Sequence, residues 1–195
     1  MRVIAGRFRG AVLAAPPGTG TRPMTDRVKE ALFNILGHRF GRPGFLPDSP
    51  VLDLFAGSGA LGIECLSRGA SRCVFVECER RALRVLRANL AKLRITDAAQ
   101  VIADNAWTVR CPPAAPDGYG LIFIDPPYRD AADPPRVLSL LARIAPRLAP
   151  EGVLVFRCAA PAGLPLDQVP ALRRIDERRF GSMRIVLLAR ADAAP

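Results

Sequence analysis

Histidine occurs once in this sequence of 195 residues, at His38, and lysine twice, at Lys29 and Lys92. A lone imidazole excludes a multi-histidine metal centre. The five cysteines, Cys65, Cys73, Cys78, Cys111 and Cys158, form no C-x-x-C pair, and their odd number fits no disulfide framework. They read as small buried residues in a reducing compartment, and no metal site is expected. Long apolar runs are missing too: Arg, Asp or Pro interrupts each one before it reaches the length of a membrane span. The first residues, MRVIAGRFRG, lack the apolar block of a secretory leader. The expectation is a cytoplasmic, monomeric protein with no membrane partner.

Apolar residues and arginine are what the sequence holds in quantity. Hydrophobic residues make up 50% of it, enough for one well-packed domain with a small appendage. The formal net charge of +10 favours a polyanionic partner. An Arg-, Ala- and Pro-rich composition also arises from a GC-rich genome, so the distribution of charge says more than its total. Residues 1–42 hold eight cations against Asp26 and Glu30. That excess is more than half of the whole, in under a quarter of the chain.

The pattern changes near residue 50. Residues 2–14 suggest a basic β-hairpin turning between Gly6 and Gly10, followed by the loop PPGTGTRP. Thr25 or Asp26 can cap a helix whose apolar positions Val28, Ala31, Leu32, Ile35 and Leu36 share one face. GRPGFLPDSP reads as a linker. From Val51 strands and helices alternate: VLDLF, ALGIECLSRG, CVFVE, ERRALRVLRANLAKL, QVIA, a short helical piece at Trp107, LIFID, a helix from about Pro134 to Ala145 capped by Asp133, and VLVFR. Two last strands, around LRRIDERRF and MRIVLLA, meet at a turn near Gly181. Such alternation builds an α/β fold with a mostly parallel, doubly wound sheet, here with one antiparallel edge strand. Residues 1–50 form a basic N-terminal extension of hairpin and helix, and residues 51–195 the main domain.

The stretch VLDLFAGSGALGIE places Gly57, Gly59 and Gly62 as G-x-G-x-x-G after a strand and before a helix. Glu77 ends the next strand 20 residues after Gly57, where a ribose-binding acid is expected. These features alone fit a nicotinamide dehydrogenase. Asp53 argues otherwise. It lies four residues before Gly57, where a dinucleotide site usually wants an apolar residue. A carboxylate there suits a ligand carrying an ammonium rather than a pyrophosphate. S-adenosylmethionine has an ammonium, a sulfonium and a ribose diol. Asp53 would take the amino group, the loop Phe55, Ala56, Gly57 and Gly59 the methionine backbone, and Glu77 the ribose hydroxyls. After the third strand, Asn105 or Asp104 would reach the adenine amino group, with Trp107 or Ala106 against its ring. Asn and Asp there are also ordinary turn residues.

In LIFIDPPYRD a short, β-branched apolar run ends on Asp125, Pro126, Pro127 and Tyr128. Neither proline can donate to a sheet ladder, so pairing stops there and Asp125 sits at the carboxyl end of the strand, where open α/β sheets bind ligands. An exocyclic amino group on a base is a poor nucleophile, because its lone pair is delocalised into the ring. Two acceptors aimed at its two N–H bonds would direct that lone pair at a methyl carbon. Asp125 supplies one and the Pro126 carbonyl the other, Pro127 keeps the turn stiff, and Tyr128 offers a stacking face.

The segments RVIAGRFRGAVL, RPMTDRVKEALFNIL, DLFAGSGALGIECLSRGA and IDPPY, in this order and spacing, resemble the bacterial 16S rRNA (guanine(966)-N(2))-methyltransferase family of the RsmD type. The glycine and D-P-P-Y motifs are shared by many amino-group methyltransferases; R-P-x-T-D-R-V-K-E is the narrower signal. The resemblance runs from about Arg2 to Arg190. It implies a Rossmann-like methyltransferase that uses S-adenosylmethionine and acts on 16S rRNA of the small ribosomal subunit or its assembly intermediate. It places cofactor and catalytic positions on Asp53, Gly57, Gly59, Glu77, Asn105 and Asp125 to Tyr128. The basic extension would then bind RNA, with Arg7, Arg9, Arg22 and Arg27 as contacts. Two positions depart from the family pattern: Met24 stands where threonine is usual, and Arg157 where an acid commonly ends the fifth strand.

Other readings fit less of the chain. A DNA adenine-N6 methyltransferase uses the same acceptor geometry, but the chain has no separate target-recognition domain. A nicotinamide-dependent reductase leaves Asp53 and D-P-P-Y unexplained. A non-catalytic RNA-binding protein has no need of either acid.

Overall fold

The computed structural model describes residues 1–16, 24–114, 117–159, 165 and 168–192, and of Tyr128 the backbone alone. Its strands are β1 (Pro50–Leu54), β2 (Arg72–Glu77), β3 (Ala99–Ala103), β4 (Tyr119–Ile124), β5 (Leu148–Ala159), β6 (Leu172–Phe180) and β7 (Met183–Arg190). Its helices are α1 (Asp26–Arg39), α2 (Ala60–Ser67), α3 (Arg80–Leu93), α4 (Tyr128–Ala131) and α5 (Pro134–Ile144). The strands make a seven-stranded sheet in the order β3-β2-β1-β4-β5-β7-β6. This is the mostly parallel α/β sheet that the alternation predicts. The chain divides into two compact units, Met1–Asp104 and Asn105–Pro195. Among the described residues no helix is long and apolar enough to cross a membrane.

In the first unit β1 pairs with β2 and β2 with β3, all parallel, with Asp53 opposite Phe75 and Glu77 opposite Ala103. β1 and β2 are near-continuous apolar runs because both faces are covered. α3 buries Leu83, Leu86 and Leu90 on one stripe, and Glu79 caps it by accepting from the N–H groups of Arg81 and Ala82. Gly62 has a packing reason: a Cβ there would lie 2.3 Å from Cε1 of Phe75. Thr25 caps α1 as expected, its hydroxyl accepting from Val28.

The hairpin expected over residues 2–14 is present as a short antiparallel pair around the bridge Arg2 with Val12: Val3 donates to the carbonyl of Ala11 at 2.9 Å, Gly10 to that of Val3 at 2.9 Å and Leu13 to that of Met1 at 3.0 Å. Its other backbone donors go to side chains. Ile4 and Ala5 donate to the Glu64 carboxylate at 2.8 and 3.0 Å, Phe8 to the Ser67 hydroxyl at 3.0 Å, and Ala14 to Asn89 Oδ1 at 2.9 Å. These bonds tie the hairpin to α2 and α3 and satisfy donors that would otherwise be left unpaired. Glu64 is fully buried, with Lys29 Nζ at 3.1 Å and Arg68 Nε at 2.8 Å. A carboxylate so deep is tolerable only with such partners. Residues 1–50 thus pack into the same compact unit as β1 to β3.

In the second unit β4 is buried along its whole length and pairs in parallel with β5. β7 runs antiparallel to both β5 and β6, so the closing hairpin puts β7 inside and β6 outermost. Composition explains the choice. MRIVLLAR is apolar and buried, whereas LRRIDERRF carries charges that an edge strand tolerates and that discourage further pairing. Gly181, at φ +60°, makes the tight turn between them. α5 starts with prolines in its first turn and Asp133 as cap, accepting from Arg136 at 3.2 Å. The single turn α4 was not legible in the sequence. Pro127 ends the extended segment and its carbonyl accepts from Asp130 and Ala131 at 2.9 and 3.0 Å, so the proline that stops the strand starts the turn.

Candidate functional site

The glycine loop leaves β1 through three residues with left-handed backbone: Phe55 (φ +64°), Gly57 (φ +57°) and Gly59 (φ +82°). For Phe55 this conformation costs on the order of 1–2 kcal/mol. Backbone bonds over-determine it: Ala56 donates to Val76 at 3.0 Å and Gly59 to Ala56 at 2.8 Å. Strain kept in place by its surroundings is typical of ligand sites. The two glycines are required for different reasons. A Cβ on Gly59 would lie 2.4 Å from Leu86 Cδ1, whereas one on Gly57 would meet nothing within 4 Å. Gly57 therefore faces open space, which a ligand can enter close to the backbone.

Both acids expected at the cofactor site, Asp53 and Glu77, are tied to the loop. Asp53 is 1% exposed, and its Oδ2 accepts from Gly62 at 3.0 Å. Gly59 caps α2 without a side chain, so Asp53 supplies from β1 the cap that the glycine cannot. The spacing of the motif did not predict this second task. Glu77 is half-buried; its Oε2 accepts from Gly57 at 2.8 Å and its Oε1 from Cys78 and Glu79, each at 2.8 Å. The structure thus brings together Asp53, Phe55, Ala56, Gly57, Gly59 and Glu77. An ionised carboxylate only accepts, so a ligand here meets hydroxyls or a cation with Glu77 and open backbone at Gly57, which suits the ribose and amino-acid parts of S-adenosylmethionine.

In the second unit Asp125 follows β4 directly. Its side chain is 17% exposed, and its Oδ1 accepts from Nε of Arg157, which is 6% exposed. Burial pushes the Asp125 carboxyl above its ordinary range, and the Arg157 guanidinium pulls it part of the way back. Pro126 is buried and Pro127 half-buried, so the D-P-P segment is held from both sides.

The chain matches the family model described as conserved hypothetical protein 95 over residues 1–189. It is 46% identical to YlbH of Bacillus subtilis over 132 residues, 67% of this chain and 68% of that protein. It is 40% identical to the ribosomal RNA small subunit methyltransferase D of Escherichia coli strain K12 over 129 residues, 66% of this chain and 61% of that protein. The solved structure of yhhF from Escherichia coli superposes with a TM-score of 0.76 at 34% identity, covering 100% of this chain and 99% of that one. The chain belongs to the RsmD family.

That membership makes it a methyltransferase and implies S-adenosylmethionine as its methyl donor. The remaining expected residues of this RsmD-family chain are placed as follows. Asn105 is exposed; its Oδ1 accepts from Trp107 at 3.0 Å and its carbonyl from Thr108 and Val109. It thus shapes the turn after β3 as well as offering an amide. Trp107 stacks under Arg136, whose guanidinium carbon lies 4.3 Å from the ring centre. Arg7, Arg9 and Arg27 are exposed, with Arg7 over the Phe8 ring at 4.4 Å, while Arg22 lies outside the described residues. Met24 is half-buried.

Two structuring residues escaped the sequence reading, and a third was seen without its partner. Asn89, 1% exposed, joins the N-terminal segment to the glycine loop by donating to the carbonyls of Ala14 at 3.1 Å and Ser58 at 3.0 Å. Its signal was a polar residue on the apolar stripe of α3. Arg143 donates to the carbonyls of Ala106 at 3.2 Å and Trp107 at 2.8 Å, fixing the turn that carries Asn105. Arg157 was noticed as a departure from the family pattern, and its partner Asp125 was not.

Proposed function

We propose that this RsmD-family enzyme methylates the exocyclic N2 amino group of a guanine in 16S rRNA, guanine 966 by the family resemblance, working in the cytoplasm as a monomer on the small subunit or its assembly intermediate. The observation that carries the reading is Asp125, a half-buried carboxylate following a buried parallel strand and stiffened by two prolines. S-adenosylmethionine supplies an electrophilic methyl group on a sulfonium that departs as a neutral thioether. Glu77 would hold its ribose hydroxyls, Phe55 to Gly59 its amino-acid backbone, Asp53 its ammonium through the charge beneath the loop, and Asn105 its adenine.

Asp125 and the Pro126 carbonyl accept the two N–H bonds of the target amine and direct its lone pair outward. As the nitrogen forms its bond to carbon it gains positive charge, which the ionised Asp125 stabilises before the extra proton leaves. Pro127 keeps the acceptors in place, and Tyr128 stacks on the extruded base. No metal is needed for this step. Residues 1–50 act as the RNA-gripping extension, with Arg7, Arg9, Arg22 and Arg27 on phosphates. These contacts position the enzyme, and base selection falls to the D-P-P-Y segment and the shape of the RNA.

The test is to map methylated nucleotides in rRNA from a strain lacking the gene, and to restore them with purified enzyme and S-adenosylmethionine on naked 16S rRNA and on small subunits. Loss and recovery of one N2-methylguanine is the expected result. Unaltered rRNA with methylated adenine in DNA would replace the proposal by its DNA-directed rival.

A further inference from the structure

We propose that Arg157 is a positioning residue for Asp125: its guanidinium takes one carboxylate oxygen and leaves the other turned to the acceptor amine. The inference rests on the role given to Asp125 above and deepens it by naming what holds that carboxylate. Its ground is the register of the β4–β5 ladder. Ile124 is paired with Phe156, and Asp125 and Arg157 are the next residues on the two parallel strands. Arg157 is also opposite Ile185 of β7, so its backbone is fixed by a strand that is paired on both sides. Nε of Arg157 then donates to Oδ1 of Asp125.

The pair is lopsided in a useful direction. Its residual exposure is on the acid, 17% against 6% for the arginine. Arg157 seals one side of the carboxylate, and what remains open belongs to Asp125. The two prolines fix the backbone after Asp125, but they cannot fix its side-chain torsions; a guanidinium bonded to one oxygen does. The sign of the charge matters as well. The family resemblance leads one to expect an acid on β5 here, and an acid beside Asp125 would drive it toward its neutral form. Arginine does the opposite and works against burial.

Other charges near this place are committed elsewhere. On α4, Arg129 and Asp130 lie 3.6 Å apart, and Asp130 is also 3.9 Å from Arg136 of α5. On β7, Arg184 stands opposite Cys158 and pairs with Glu177 of β6 at 2.7 Å. Burial pushes the Cys158 thiol up, which keeps it neutral. Among the described residues, Arg157 is the charged side chain that bears on Asp125.

The experiment compares full-length wild type with Arg157→Met, Arg157→Gln and Arg157→Lys. It measures kcat and KM for 16S rRNA against pH, S-adenosylmethionine affinity by calorimetry, and the Asp125 carboxyl titration by NMR, assigned with Asp125→Asn. In Arg157→Met and Arg157→Gln, kcat should fall about tenfold to a hundredfold with cofactor affinity unchanged. The acid limb of the kcat profile and the Asp125 titration should both move up, because burial is then no longer opposed by the guanidinium. Arg157→Lys, which keeps the charge, should regain part of each. If either neutral variant folds and keeps the wild-type kcat and acid limb, the inference is overturned while the proposed function stands. A wild type that methylates no guanine overturns the proposed function, and this inference with it.

Discussion

The two units hold their acids in opposite ways. In Met1–Asp104, Asp53 and Glu77 are bonded by backbone N–H groups of Gly57, Gly62, Cys78 and Glu79, and the loop they support is shaped by glycine conformations. In Asn105–Pro195, among the described residues, Asp125 is held by the side chain of Arg157. Backbone donors survive most substitutions, so the glycine-loop site is redundant, and removing one group weakens it without dismantling it. Among the described residues, Asp125 has one side chain bonded to it. Damage should therefore be graded in the first unit and near all-or-none in the second.

The sharpest way to break that contrast is Asp125→Ala. Transfer should fall about 10²–10³-fold while S-adenosylmethionine binds as before. Single-turnover methylation with calorimetry on the same sample checks both halves, and a cofactor affinity that falls along with the rate would erase the distinction. Next comes Asp53→Ala, which removes a charge-assisted bond and the cap of α2. Cofactor affinity should weaken by about 1.5–3 kcal/mol, with the rate at saturating cofactor largely kept. Gly57→Ala should cost at least about 1–2 kcal/mol in the same binding measurement, because the positive φ opposes a Cβ that meets no protein neighbour but stands in the space left for the ligand.

The pH profile separates the sites as well. Burial raises the Asp125 carboxyl, and its ionised form is the active one. The rate should therefore decline as pH falls through a value above the ordinary carboxylate range, with cofactor affinity lagging behind that decline. The smallest effects belong to the extension. Arg7→Glu or Arg27→Glu should each flatten the slope of log K against log salt for rRNA by roughly 0.7. An unchanged slope would make those arginines a solvated surface.

Much of this was legible because it is written in local pattern. β4 was readable from LIFID, the caps of α1 and α5 from Thr25 and Asp133, and the glycine loop from three glycines after a strand. What stayed hidden needs partners far apart in the chain. Nothing near Glu64 announces that its carboxylate will take the N–H groups of Ile4 and Ala5 and so seat the N-terminal hairpin on α2. Nothing in VLVFR shows that Arg157 will register beside Asp125, since strand register comes from the sheet. The order β5-β7-β6 was half-written: the apolar strand of the last pair had to go inside, but only pairing shows which strand it meets.

The buried bonds of the N-terminal segment also set a timetable. Ile4 is bonded to a residue 60 positions later and Ala14 to one 75 positions later. During synthesis at about 5–20 residues per second, Ala14 thus waits on the order of 4–15 s for Asn89 to be made, and longer for it to clear the exit tunnel. A segment made early thus completes its bonds only after much of its unit has been made. Until α2 and α3 are made, that arginine-rich segment has only its own hairpin bonds, and its bonds to Glu64, Ser67 and Asn89 cannot form.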